Sequence, residues 1–226
     1  MFAAAAVDEG SAGHGPELVP AKDHDSLSRT IELIGARRRF KRNSEVYGAR
    51  EPADYFYKVV SGMVRAYKVT VDGRRHVSAF YVPADVFGLE TSEQHVFSAE
   101  AVTDAEILVV KRSTVTSLAA QDAAMAGHLW LLTGCELHRS QNHMLLLNKS
   151  APERVASFLL EMADRIQSDG EVPLSMPRQD VADYLGLSIE TISRMLTRLE
   201  SASAIALPTC RRVVLRNRPV LRRMLA

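Results

Sequence analysis

Residues 178–200, RQDVADYLGLSIETISRMLTRLE, hold the feature that most restricts how this chain can fold: two short amphipathic helices meeting at a glycine. Val181, Ala182 and Leu185 fall at i, i+1 and i+4, the spacing of a buried helical stripe. Gly186 lets the backbone turn without a Cβ clash, and Leu187 is placed to plug the corner. Ser188 suits the N-cap of a second helix, because its hydroxyl can accept a free backbone N–H of the first turn. In that helix Ile192, Met195, Leu196 and Leu199 form the apolar face, while Glu190, Ser193, Arg194 and Thr197 share a polar one. Such a corner is a helix-turn-helix, whose second helix can enter a DNA major groove. The same spacing also fits an ordinary helical hairpin with a solvated face.

Charge separates the two readings. The net charge of the 226-residue chain is only +1, but that average conceals a basic end. Beyond Arg194 come Arg198, Arg211, Arg212, Arg216, Arg218, Arg222 and Arg223, opposed by Glu200 alone. A tail of this kind is the electrostatic footprint of phosphate contact, so double-stranded DNA is the expected partner. The two cysteines, Cys135 and Cys210, are too few for an iron–sulfur cluster or a cysteine-rich zinc site, and no metal or cofactor is expected. No Gly-rich phosphate loop or nucleophile constellation points to an enzyme. No stretch is apolar enough to span a membrane, and the opening MFAAAAVDEG lacks the basic and apolar regions of a signal peptide. A reduced, cytoplasmic protein is expected.

The rest of the chain divides by period. Residues 1–25, rich in Ala and Gly, read as a mobile tail, and Ser26–Ile34 as a short helix. Within the unit 26–112, short Val-, Tyr- and Phe-rich runs alternate with turn signals at Ser61-Gly62, Asp72-Gly73 and Pro83-Ala84-Asp85. Six to eight such strands make a small β-sandwich or jelly roll. Over 113–148 the period changes to helical with no proline, and one helix of about 45 Å is expected. Leu118, Met125, Leu129 and Leu132 on its stripe are candidates for pairing with a second copy, or for folding back on the β-domain. Residues 151–226 begin with a helix carrying Val155, Phe158, Leu159 and Met162, continue through the corner, and add a two-stranded ribbon and a short basic helix. The fold class is therefore α+β: a β-roll, a long helix and a winged helix-turn-helix.

That order resembles the CRP/FNR superfamily of bacterial transcription regulators over roughly residues 33–224. Phe56-Tyr57-Lys58-Val59-Val60-Ser61-Gly62 resembles the family's early strand and glycine turn. Glu190-Thr191-Ile192-Ser193-Arg194 after Gly186-Leu187-Ser188 resembles the FNR-type recognition motif, E-x-x-S-R, and the segments at 87–90 and 97–101 look most like FixK-type regulators. The resemblance implies a cyclic-nucleotide-binding-like β-roll, a homodimer, activation through contact with RNA polymerase, and recognition of a TTGAT half-site facing ATCAA. Base chemistry agrees: Arg194 can donate twice to guanine, Glu190 can accept from cytosine, and Ser193 can do either. By the same resemblance Arg178, Gln179, Ser188 and Thr191 fall where phosphates are contacted. Ile189 can meet a thymine methyl or simply fill space.

Three switches known in the superfamily find poor counterparts. Where the cyclic AMP receptor protein has its phosphate-binding Arg-Ser pair, this chain reads Val96-Phe97-Ser98. Residues 1–40 lack the cysteines of FNR's oxygen-sensing cluster. His76 is a conceivable haem ligand, but a lone histidine after a hairpin is far more often a solvated side chain. The FixK-type resemblance implies activity without an effector; the rival is a sensor whose β-roll takes an unidentified small molecule. Cys210, beside Arg211 and Arg212 at the expected wing tip, is either a redox switch or an inert thiol.

Overall fold

The computed structural model describes residues 25–225; apart from Asp25, the tail expected over residues 1–25 lies outside them. After α1 (Asp25–Ile34) come eight strands: β1 (Ala36–Phe40), β2 (Glu45–Tyr47), β3 (Tyr55–Ser61), β4 (Val64–Val69), β5 (Arg75–Tyr81), β6 (Val86–Phe87), β7 (Ser98–Ala101) and β8 (Ala105–Lys111). They form two four-stranded antiparallel sheets, in the orders β1-β8-β3-β6 and β2-β7-β4-β5. Strand β8 explains why its sequence, AEILVVK, does not alternate. Ile107 and Val109 point into the roll beside Tyr57 and Phe87, while Leu108 and Val110 face the other way and are equally buried. A strand covered on both faces needs apolar residues throughout. At the β3–β4 turn Gly62 has φ +82°, and a Cβ there would sit 2.4 Å from the Asp104 carbonyl oxygen. No other residue fits that position.

The cover on the second face corrects the expectation of one long helix. Residues 112–146 form two helices, α2 (Arg112–Gln121) and α3 (Ala123–Leu146). Between them Asp122 takes extended backbone, φ −131°, and its carboxylate accepts from the Ala124 N–H at 2.9 Å. An aspartate in extended backbone that caps a new helix marks where the old one ends. Together with α1, these helices close the outer face of the β1-β8-β3-β6 sheet. Met125 is buried there with Ile31, Phe56, Leu108, Val110 and Val115, and Leu118, Leu129 and Leu132 pack against the same cluster. The four side chains considered for pairing with a second copy thus cover the chain's own β-roll, because Phe56, Leu108 and Val110 need an apolar lid.

A different face of α3 is left bare. Trp130 is 78 % exposed and Met144 63 %, with Leu137 exposed between them. Gly127, Trp130, Gly134, Leu137, Gln141 and Met144 recur at alternating steps of three and four, the heptad seam of a helix pair. A Cβ added at Gly127 or Gly134 would meet nothing within 4 Å.

The last unit opens with α4 (Ala151–Arg165), begun by a Ser150–Glu153 capping box. Its residues Val155, Phe158, Leu159 and Met162 are all buried. Then follow β9 (Glu171–Pro173), α5 (Arg178–Leu185), α6 (Ile189–Ser201), β10 (Ile205–Thr209), β11 (Arg212–Leu215) and α7 (Arg218–Arg223). The wing is three-stranded, β10-β11-β9, rather than the two-stranded ribbon expected, because Val172 on β9 pairs with Val213. This unit shares one apolar core with the near edge of the β-roll, including Met63, Val77, Phe80 and Val102.

Candidate nucleic-acid interface

Helices α5 and α6 form the corner as the residues dictate. Gly186 adopts the left-handed conformation, φ +60° and ψ +39°, and the Leu187 N–H returns to the Ala182 carbonyl at 3.0 Å. Ser188 caps α6, its hydroxyl accepting from the Thr191 N–H at 3.2 Å. Behind α6, Ile192, Leu196 and Leu199 are buried and Met195 is partly so. In front, Ile189, Glu190, Ser193, Arg194, Thr197 and Arg198 are exposed. A reading face mounted on a buried apolar stripe keeps its side chains in register with a groove.

Within that face Arg194 donates to the Thr191 hydroxyl at 3.2 Å. Ser188, Thr191 and Arg194 thus form a hydroxyl-to-guanidinium chain along the first turns of α6, with Ser188 and Thr191 oxygens 3.1 Å apart. The Glu190 carboxyl sits below its ordinary value, held there first by its own backbone N–H and next by the Ser188 hydroxyl, with Arg194 a weaker influence. Of the other expected phosphate contacts, Arg178 is half-buried at the start of α5, and Gln179 is exposed and donates to Asp183 at 2.7 Å.

One residue that holds this corner was not legible in the sequence. Arg154, on α4, donates from Nε to the Lys149 carbonyl and from Nη1 to the Leu185 carbonyl, both at 2.8 Å, with the Gly186 carbonyl at 3.4 Å. The Leu185 and Gly186 carbonyls are end-of-helix acceptors without intrahelical donors. An arginine 31 residues away from Leu185 gives no local pattern to find.

Arg198, Arg211, Arg216, Arg222 and Arg223 are exposed around the unit, while Arg218 pairs with Asp164 at 3.0 Å and Arg212 with Glu171. Cys210 is an exposed thiol at the turn between β10 and β11, next to Arg211. His76 is exposed on β5 and lines a groove with Arg74, Gln179 and Leu187.

A second candidate site lies between the β-roll and α3. A cavity of about 510 Å³ is lined by Tyr81, Gly88, Leu89, Glu90, Phe97, Thr133, Glu136, Leu137 and His143, among others, with no Arg or Lys among the described residues that line it. Tyr81 donates to Glu136 at 2.9 Å. The Glu90 carboxyl sits below its ordinary value: burial pushes it up, but the buried His95 beside it at 3.3 Å, its own backbone N–H and the Arg112 charge together bring it down. Among the described residues no group of three or more His, Cys, Asp or Glu could hold a metal ion, and no helix is long and apolar enough to cross a membrane.

A β-roll joined through a helix to a winged helix-turn-helix defines a class, that of DNA-binding regulators built on a sensor-type domain. Residues 153–224 match the Crp-like helix-turn-helix domain, and residues 37–122 the cyclic nucleotide-binding domain. The nitrogen fixation regulation protein FixK of Azorhizobium caulinodans is 47% identical over 212 residues, covering 91% of this chain and 86% of that protein. The transcriptional activatory protein AadR of Rhodopseudomonas palustris is 34% identical, covering 84% of this chain and 80% of that one. The structure of FixK2 from Bradyrhizobium japonicum is similar at 44% identity and a TM-score of 0.83, covering 86% of this chain and 98% of that one. The chain belongs to the FixK-type branch of the CRP/FNR superfamily of transcription regulators.

Proposed function

We propose that the chain is a cytoplasmic homodimer that activates transcription from a TTGAT/ATCAA palindrome, recruiting RNA polymerase, without a small-molecule effector. The observation that carries this reading is the face of α6. Glu190, Ser193 and Arg194 are exposed together on a helix whose opposite side is buried and whose N-terminus is capped. Arg194 reads guanine and Glu190 the paired cytosine, while Arg178, Gln179, Ser188 and Thr191 set register on phosphates. The bare seam of α3 from Gly127 to Met144 supports pairing of two copies, which would match the two-fold symmetry of a palindrome.

The cavity supports independence from an effector of nucleotide type. A cyclic nucleotide's phosphate there would face Glu90 and Glu136, and by resemblance Val96-Phe97-Ser98 falls where the cyclic AMP receptor protein has its phosphate-binding Arg-Ser pair. A ligand-dependent sensor is the second reading, favoured by the size of that cavity. Binding of effector-free protein to the palindrome separates the two. In the same assay Arg194→Ala is expected to lose about 1–3 kcal/mol of discrimination at the guanine. Unchanged discrimination would remove α6 as the reading helix.

A further inference from the structure

The first helix of the reading unit is tied to the β-roll by a chain of charges. Asp180, in the first turn of α5, is 1 % exposed, and both of its oxygens are taken by guanidinium groups from the β4–β5 hairpin. Arg65 Nη1 donates to Oδ2 and Arg75 Nη2 to Oδ1. Arg65, itself buried, reaches back through Nη2 to Glu100 on β7 at 2.7 Å. Arg75 continues outward from Nε to Asp183 at 2.9 Å, and Asp183 accepts from Gln179 at 2.7 Å. The chain runs unbroken from the middle of a β-roll sheet to a side chain expected on a DNA phosphate.

Buried ion pairs of this kind add little net stability, because desolvating the charges offsets their attraction; apolar side chains would hold two domains together as well. What they add is geometry. The apolar contact beside the chain, Phe80 against Tyr184 and Phe158, tolerates sliding, whereas a carboxylate gripped at both oxygens by two planar guanidinium groups admits one pose. His143 of α3 reinforces that pose, its Nε2 donating to the Tyr184 carbonyl at 2.7 Å with the two rings stacked 4.1 Å apart.

We infer that the Glu100–Arg65–Asp180–Arg75–Asp183 chain locks α5, and through the corner the reading helix α6, at a fixed position on its own β-roll, making Asp180 and the two arginines positioning residues for recognition of two correctly spaced half-sites. The lock replaces, by built-in contacts, the orientation that an effector would otherwise impose. This inference rests on the proposed reading of a palindrome by a dimer.

The test uses the full chain and three duplexes: the TTGAT/ATCAA palindrome, the same palindrome with one base pair added between half-sites, and a single half-site. Asp180→Asn keeps the shape and leaves Arg65 with Glu100 and Arg75 with Asp183. It is expected to bind the single half-site within about twofold of wild type, to lose about tenfold on the palindrome, and to discriminate less between the two spacings, as a smaller competent fraction requires. Arg75→Gln, at the solvent edge of the chain, provides the same comparison if Asp180→Asn does not fold. Equal losses on half-site and palindrome, or an unchanged spacing preference, overturn the inference. Wild type failing to bind the palindrome at all would instead overturn the DNA reading beneath it.

Discussion

Replacing Arg154 with methionine should loosen the corner between α5 and α6 while leaving its apolar backing in place. Methionine keeps an unbranched apolar stem in place of the arginine's, ending short of the guanidinium, and donates nothing. The wild-type guanidinium makes two bonds of 2.8 Å, to the Lys149 and Leu185 carbonyls, and a longer one to Gly186. A hydrogen bond with one charged partner contributes about 1.5–3 kcal/mol, which for two short bonds sets an upper range of about 3–6 kcal/mol. Gly186 is exposed and the corner is open to water on that side, so water replaces part of what is lost. The expected cost is therefore about 2–3 kcal/mol. For a chain of this size each kcal/mol lowers the melting midpoint by about 2–4 °C, so thermal unfolding should shift down by about 4–12 °C. Arg154→Lys, retaining one donor, should fall between wild type and the methionine variant. A methionine variant melting with wild type would refute the view that the guanidinium holds the corner. A lysine variant falling as far as the methionine one would assign the effect to shape instead.

Other expectations are briefer. Trp130→Glu, on the bare seam of α3, should shift the chain from dimer to monomer in sedimentation while leaving the fold intact, since Trp130 touches little of its own chain; a dimer of wild-type strength would place pairing elsewhere. Glu190 has a folded value below its ordinary one, so its ionised form is favoured above the ordinary carboxyl range and is lost only as pH falls through the lower folded value. Discrimination at its base pair should thus be flat from pH 8 to about pH 6, well above the glutamate range; a decline over that interval would mean another group governs the contact. Hydrogen peroxide, converting the Cys210 thiol to a sulfenic acid with loss of water, should weaken DNA binding of wild type and spare Cys210→Ser. Equal sensitivity of the two proteins would remove Cys210 as a switch.

Local pattern explains how much of this protein was legible in its sequence. Gly186 followed by a capping serine, with apolar residues at helical spacing on both sides, determines the helix-turn-helix wherever the rest of the chain lies. The candidate reading face follows directly, because residues 190, 193, 194 and 197 of a helix share a side. Turn signals at Gly62 and Gly73 likewise delimited the strands of the β-roll. Leu118, Met125, Leu129 and Leu132 look the same in sequence whether they meet a second copy or the chain's own sheet, and the structure packs them against the apolar outer face of β3 and β8. The break at Asp122 turned on a single side-chain oxygen capping α3.

The sequence by itself thus determined the periodicities: which residues are helical, which alternate, and which polar side chains a helix presents together. These depend on neighbours a few positions apart. Only the tertiary structure decided that Asp180 is buried between Arg65 and Arg75, that Arg154 closes the corner, and that the free seam of α3 runs through Gly127, Trp130 and Gly134. Those contacts join residues 31 to 115 positions apart, or depend on which face a distant sheet has already covered. Charge and hydrogen-bond partners at such separations leave no period in the chain, and folding brings them together.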